Sequence, residues 1–98
     1  MAMTTIPKPA ILPSELLRKG WCQGSFMWQF KQEDAHYSLI GAWQTVPTFE
    51  SQPDGVELRL ALVAVINASP MSWNDAPGRT QAEVVAASEE AERRLGWR

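Results

Sequence analysis

The stretch that decides the fold is WNDAPGRTQAEVVAASEEAERRLG, residues 73–96. Thr80 and Glu83 have the spacing of a capping box, in which each side chain accepts a hydrogen bond from the other residue's backbone N–H. Apolar residues then recur at helical spacing on one face: Val84, Ala87, Ala91 and Leu95. Two opposite-charge pairs four residues apart suit the exposed side: Glu89–Arg93 and Glu90–Arg94. The pattern predicts a helix over residues 81–95 that ends at Gly96.

The residues before this helix are either a functional loop or only a way to start the helix. Asn74 and Asp75 can turn the chain by bonding nearby backbone amides, and the Pro-Gly that follows suits a type II turn. As a binding site, Arg79 and the free N–H groups of the first helical turn would hold an anion or a carboxylate, with Trp73 as a wall. An internal ion pair between Arg79 and Asp75 explains the same residues without a ligand.

The first half of the chain contains weaker signals. Three prolines within residues 1–13 prevent a regular helix and predict an extended tail. Ser14 as N-cap and Gly20 as terminator indicate a short helix over residues 14–20. From Phe26 to Phe30, apolar and polar residues alternate with a period of two, which predicts a short strand followed by a turn.

Two segments fit either a helix or a strand. Residues 38–46 combine a helical apolar face with a glycine and a β-branched end. Residues 56–67 are the most apolar run, and their length favours a helix. We therefore expect a mainly α single domain over residues 14–98, with three to four helices and room for a short β-hairpin; an α+β fold is the alternative.

Composition limits the classes of function. With 98 residues, 45% of them apolar and 20% charged, the chain has the make-up of one folded domain. A net charge of −2, without a basic cluster beyond Arg93-Arg94, argues against direct nucleic-acid binding. The prolines near the start argue against a signal peptide or a membrane span. These features favour a cytoplasmic protein with no membrane partner.

The single cysteine, Cys22, excludes an intramolecular disulfide. With His36 as the only histidine, a Cys/His zinc site cannot be completed, so we expect no metal and no cofactor. Cys22, His36 and Asn74 do run in the Cys-His-Asn order of papain-like proteases. The spacing does not match the local signature of those enzymes, which are also much larger. A catalytic triad of these residues is the enzyme hypothesis.

Three sequence motifs resemble those of a small uncharacterised family of bacterial and phage proteins. They are GWCQG at 20–24, LIGA at 39–42 and WNDAPGRTQAEVVAASEEA at 73–91. Members often carry a second Trp-Cys before the Gly-Ala step, where this chain has Tyr37-Ser38. The resemblance implies a mainly helical domain of unknown function and supplies no activity.

The binding hypothesis is that the domain presents part of its surface to another protein. Tryptophan and arginine are enriched at interface hot spots, and Trp28, Trp97 and Arg98 lie near or beyond the ends of predicted elements. Together with Trp73, Asn74, Asp75 and Arg79 they are the candidate binding residues. A phage or mobile element could use such a domain to inhibit a host system, with acidic residues imitating nucleic acid. A self-associating structural protein, for example a homodimer, is a third alternative.

Overall fold

Five helices and one pair of very short strands make up the part of the chain that the computed structural model describes, residues 6–25, 27–28 and 35–98. In chain order they are α1 (Pro13–Lys19), β1 (Met27–Trp28), β2 (His36–Tyr37), α2 (Leu39–Gln44), α3 (Asp54–Ile66), α4 (Pro70–Asn74) and α5 (Gln81–Arg94). The mainly α class is confirmed. Helix α4 was not expected from the sequence. It has five residues, and Pro70 at its first turn fits a helix start.

Helix α5 forms as its local signals predict. The hydroxyl of Thr80 accepts from the N–H of Glu83 at 3.2 Å, and the Glu83 carboxylate accepts from the N–H of Thr80 at 2.9 Å. Gly96 follows the helix with a φ of 79°, a conformation that glycine adopts without strain. One predicted charge pair is wrong, since Glu89 bonds to Arg18 and Arg98 rather than to the neighbour four residues on.

Both ambiguous segments are helices. Residues 39–44 form α2, where the Ser38 hydroxyl caps the first turn by accepting from the N–H of Gly41. Residues 54–66 form α3, which buries Leu58 and Leu62. A strand would have exposed alternate apolar residues and needed a sheet neighbour, whereas the helix directs one continuous face into the core.

The predicted strand around residues 26–30 is present as β1, which pairs antiparallel with β2. Met27 lies opposite Tyr37, and Trp28 opposite His36. Residues 26 and 29–34, which include the predicted turn, lie outside the described residues.

Helix α1 begins one residue earlier than predicted, and its N-cap is Leu12 rather than Ser14. Pro13 occupies the first helical position, where its missing N–H costs nothing. Glu15 accepts a hydrogen bond from the N–H of Leu12 at 3.0 Å. Ser14 is therefore inside the helix and fully buried, and its hydroxyl donates to Glu92 at 2.7 Å.

Two tryptophans lie at the centre of the core. Trp43 and Trp97 stack with their ring centroids 5.5 Å apart, and Trp97 is only 4% exposed. Each indole N–H has a partner: Trp43 donates to the Ser88 hydroxyl, and Trp97 donates to the carbonyl of Ile6. The expectation that Trp97 lies on a binding surface is wrong, because its indole packs into the core against Trp43 and bonds to Ile6. Ile6 and Leu12 are both buried, so the N-terminal segment is anchored at these two residues, whereas the residues between them are mostly exposed.

A buried carboxylate joins α1 to the segment that follows α5. Glu92 on α5 is fully buried and accepts hydrogen bonds from the N–H and hydroxyl of Ser14, the hydroxyl of Ser88 and the guanidinium of Arg98. Arg98, a predicted binding residue, is thus engaged internally. The hydrogen bond to Glu92 raises the pKa of Arg98.

Candidate functional site

Four of the residues predicted as a site lie at or just after the C-terminal end of α4: Trp73, Asn74, Asp75 and Arg79. Asn74 is fully buried, and its amide oxygen accepts from the indole N–H of Trp21 at 2.7 Å and from the N–H of Leu39 at 3.0 Å. Its amide nitrogen donates to the carbonyl of Cys22 at 3.1 Å and to Asp75 at 2.9 Å. Both donors and both lone pairs of the Asn74 side chain are therefore satisfied within the protein.

The loop at residues 20–24 docks on the end of α4 through further hydrogen bonds. Gln23 donates from its amide nitrogen to the carbonyls of Asn74 and Ala76. The carbonyl of Asn74 is one of those that a helix end leaves without a partner inside the helix. The Asp75 carboxylate accepts from the N–H of Gly24 at 3.0 Å. The expectation that Asn74 and Asp75 turn the chain by bonding local amides is wrong, because their side chains bond to residues more than 30 positions away or to each other.

Arg79 is used internally, but not by the predicted partner. Its guanidinium lies over the ring of Trp73, 3.8 Å from the centroid, and its Nε donates to the carbonyl of Trp73 at 2.9 Å. The nearest carboxylate is that of Glu83 at 3.3 Å, not that of Asp75. A planar cation stacked on an indole and paired with a carboxylate is a stabilising arrangement that needs no ligand.

The N-terminal end of α5 is likewise occupied by side chains of the protein itself. Glu83 accepts from both the N–H and the hydroxyl of Thr80 and also pairs with Arg79. These bonds lower the pKa of Glu83, with the backbone N–H of Thr80 as the largest cause. The helix therefore supplies its own carboxylate at the position where an anion would otherwise bind.

The structure brings the three residues of the enzyme hypothesis close together. The contacts that join them run from a side chain of one residue to the backbone carbonyl of another. The Cys22 sulfur lies 3.6 Å from the carbonyl oxygen of His36 and 3.7 Å from that of Ser25. The His36 Nδ1 lies 3.4 Å from the carbonyl of Trp21. Burial raises the pKa of the Cys22 thiol, and the charge of Asp75 raises it further. A nucleophilic cysteine needs the opposite shift, because the thiolate is the attacking species.

Helix α3 carries a feature that the sequence predictions missed. Val56, Leu60 and Val63 lie on one side of it, with 42%, 61% and 38% of their surfaces exposed. They make up what we call the α3 outer face. At 100° per residue they fall within one quarter of the helix circumference, opposite Leu58 and Leu62. The sequence does indicate such a face, because the apolar residues of 56–67 surround the helix, and a helix that is apolar all round has more than one face to bury.

The described ranges of the chain contain neither a metal-ligating cluster nor a membrane-spanning helix. No three side chains among the described His, Cys, Asp and Glu residues lie close enough together to hold a metal ion. None of the helices in these ranges combines the length and apolarity needed to cross a membrane.

The remaining candidate binding residue is Trp28. Its backbone belongs to β1, and its side chain lies outside the described part of the structure. Of the other predicted residues, Asn74 bonds to Asp75 and Arg79 to Trp73, so all four are engaged internally, whereas Trp97 lies in the core. The exposed apolar surface is on a different helix.

Comparison with known proteins adds a family but no activity. No curated protein and no solved structure matches the chain. One family model matches residues 14–94. This range includes all five helices apart from the first residue of α1. It also contains the motifs at 20–24 and 73–91, whose residues bond to each other around Asn74. The chain therefore belongs to a family of unknown function, DUF6197.

Proposed function

We propose that this chain is a small protein-binding domain whose docking surface is the α3 outer face. The occupant we propose is an apolar helical segment of a polypeptide chain. The observation that carries the proposal is the location of Val56, Leu60 and Val63 side by side on the solvent side of one helix. Clustered large apolar side chains mark interaction surfaces more often than single exposed ones do.

The energetic argument concerns the cost of leaving this face in water. Complete burial of one valine or leucine side chain contributes roughly 1.5–3 kcal/mol, so three half-exposed side chains hold a useful fraction of a binding free energy. The spacing of four and three residues along α3 forms a straight ridge. Such a ridge packs against the surface of another helix.

The charges around the face favour a protein partner over nucleic acid. Arg59 is the basic residue of α3, and it is drawn to one side by the ring of Phe49, 4.4 Å away, and by Glu50 at 4.0 Å. The net charge of −2 also repels a phosphate backbone. We place the protein in the cytoplasm, and we extend the proposal to a phage or mobile-element inhibitor that blocks a host protein by covering its surface.

A photo-crosslinking amino acid at position 60 tests the proposal in the source cell. We expect a saturable cross-linked product that disappears when excess wild-type domain competes but persists when the competitor carries Leu60→Glu. Position 44 provides the matched control, because Gln44 is exposed on α2, away from this face. Equal cross-linking from positions 60 and 44, or competition by both competitors alike, would contradict the proposal.

A further inference from the structure

We infer that residues 6–11, which we call the strap, open while the rest of the domain stays folded, and that the position Ile6 leaves beside Trp97 binds an extended segment of another polypeptide. The segment that fits carries an apolar residue followed by proline, as Ile6 is followed by Pro7 in the strap itself. The strap is therefore an internal occupant of this site. The site is separate from the α3 outer face and does not depend on the function proposed for that face.

The strap is attached to the domain through its first residue. Ile6 is 4% exposed, and its carbonyl accepts a hydrogen bond from the indole N–H of Trp97 at 3.0 Å. Four of the five residues between Ile6 and Leu12 are exposed. None of these five forms a hydrogen bond with another part of the described chain. The strap ends at Leu12, the buried N-cap of α1.

The middle of the strap borders a groove rather than the core. This groove has a volume of about 350 Å³ and lies between residues 9–11 of the strap and a wall that includes Leu16, Tyr37 and Pro47. A space of that size admits solvent, since a water molecule occupies roughly 30 Å³ in the liquid. The middle of the strap therefore contributes little packing to the closed state.

The closed state is held only weakly against the entropy of the strap. Closing fixes the backbone of residues 6–11, and the burial of one isoleucine together with one hydrogen bond must offset that loss. Pro7 and Pro9 restrict the open strap, which reduces the entropy lost when it closes. We therefore expect the strap to open at a lower free energy than that of global unfolding.

Trp97 stays in place when the strap leaves, because other contacts hold it. Its backbone N–H donates to the carbonyl of Glu92 at 2.9 Å, and its ring stacks on Trp43. The next residue, Arg98, donates to the Glu92 carboxylate at 2.7 Å. None of these contacts involves the strap. Opening thus frees one fixed indole N–H and the apolar space of one isoleucine side chain.

The chemistry of the closed state identifies the kind of partner. An apolar side chain fills the space, and the carbonyl of the same residue accepts from the indole. A proline at the next position favours an extended conformation at that residue and has no N–H that would need a partner. Extended segments that contain proline also lose little entropy when they bind an aromatic site.

Hydrogen exchange of the indole N–H groups tests the opening of the strap. The Trp43 indole is the internal reference, because it bonds to Ser88 inside the domain. We expect the Trp97 indole to exchange at least about tenfold faster and with a weaker dependence on urea. Ile6→Ala should remove most of the remaining protection at Trp97, whereas Trp43 should stay protected because the domain stays folded.

Ile11→Ala is the matched control, because Ile11 belongs to the same strap but is 52% exposed. It should leave both exchange rates at the wild-type values. Equal exchange and equal urea dependence at the two indoles, with Trp97 as well protected as Trp43 in Ile6→Ala, would show that only global unfolding exposes Trp97. That result would overturn the strap.

A peptide with the sequence of residues 6–12, IPKPAIL, tests the site in the full-length Ile6→Ala variant. We expect a saturable shift of the Trp97 indole resonance with a dissociation constant of about 1 mM, since one side chain and one hydrogen bond carry the contact. The same peptide with Ile6→Asp should not bind, and wild-type protein should bind IPKPAIL more weakly because its own strap competes. No shift up to about 10 mM would overturn the site. Equal binding to the wild type and the variant would show that the peptide binds elsewhere and would overturn it as well.

Discussion

The indole N–H of Trp21 donates to the amide oxygen of Asn74 at 2.7 Å, and this bond joins two sequence motifs that are 53 residues apart. The same oxygen accepts from the N–H of Leu39 at the start of α2. One buried amide therefore fixes the loop after α1, the first turn of α2 and the end of α4. The relationship explains why Trp-Cys-Gln-Gly and Asn-Asp occur in one chain without assigning them a ligand.

Asn74→Asp tests this role of the amide. The new carboxylate would face the carbonyl of Cys22 and the carboxylate of Asp75, where the amide nitrogen now donates. Because a buried oxygen without a donor pays its full desolvation cost, we expect a loss of about 3 kcal/mol in the free energy of unfolding. Urea denaturation measures it. Asn67→Asp is the matched control, since Asn67 is an exposed helix cap, and its effect should stay within about 1 kcal/mol. Equal losses in both variants would refute the internal role.

Arg98→Ala tests the carboxylate cluster. The change removes the charged donor from the buried Glu92 while the two serine hydroxyls remain. We expect a destabilisation of about 2 kcal/mol, because the partner left behind is a buried carboxylate. Arg94→Ala removes an arginine that is half exposed and paired with Glu90, so thermal or urea denaturation should show a change below about 1 kcal/mol. If Arg98→Ala is no worse than Arg94→Ala, the carboxylate is not held by Arg98.

The parts of the fold that the sequence predicts are those with local causes. The capping box at Thr80 needs only residues three apart, and the helical identity of α3 follows from its length. Partners distant in the sequence could not be predicted. Ser14 is of a residue type that is common at N-caps, but its hydroxyl donates instead to the carboxylate of Glu92, 78 residues away.

The same limit applies to the candidate site. Asp75 and Arg79 have charges that suit a pair, yet the ring of Trp73 and the carboxylate of Glu83 provide Arg79 with closer partners. Trp97 was predicted at the surface because it follows the last helix, whereas its indole bonds to Ile6, 91 residues earlier. The α3 outer face, in contrast, follows from helical geometry once residues 54–66 are known to form a helix.

Arg79→Lys tests whether the guanidinium acts internally or on a ligand. Lysine keeps the charge but loses the planar stack on Trp73 and the Nε hydrogen bond, so we expect a destabilisation of about 1 kcal/mol. Thermal denaturation with and without phosphates and carboxylates measures both effects. Arg93→Lys is the matched control, because that arginine pairs with Glu90 at the surface. A large stabilisation of the wild type by one anion, lost in Arg79→Ala, would show that an anion site exists.

Stability should depend on pH through the glutamates with lowered pKa values. The pKa of Glu83 is lowered mainly by the backbone N–H of Thr80, and that of Glu90 mainly by Arg93. A lowered folded-state pKa contributes stability above the unfolded value of about 4.3, and that contribution disappears as the pH falls through the folded-state pKa. Glu83→Gln should therefore differ from the wild type at pH 6 and converge with it in acid.

Salt separates the two glutamates. Ion pairs at the surface are screened at about 1 M salt, whereas a hydrogen bond from a backbone N–H is screened less. Urea denaturation between about pH 2 and 6 should show that salt reduces the effect of Glu90→Gln more than that of Glu83→Gln. Equal reductions would mean that Arg79, rather than the capping bond, dominates at Glu83.

The reactivity of Cys22 distinguishes the binding domain from the cysteine enzyme. Burial raises the pKa of this thiol, and its sulfur lies against the carbonyls of His36 and Ser25. A small thiolate fraction at neutral pH reacts slowly with iodoacetamide, and denaturant should accelerate the reaction by exposing the sulfur. Cys22→Ser should leave cross-linking at position 60 unchanged, because Cys22 is not on the α3 outer face. Rapid alkylation of the folded protein at about pH 6, well below the ordinary cysteine pKa of about 8.5, together with loss of function in Cys22→Ser, would reject the binding proposal. His36 would then be the first base to examine, by repeating the alkylation with His36→Gln and looking for a slower reaction.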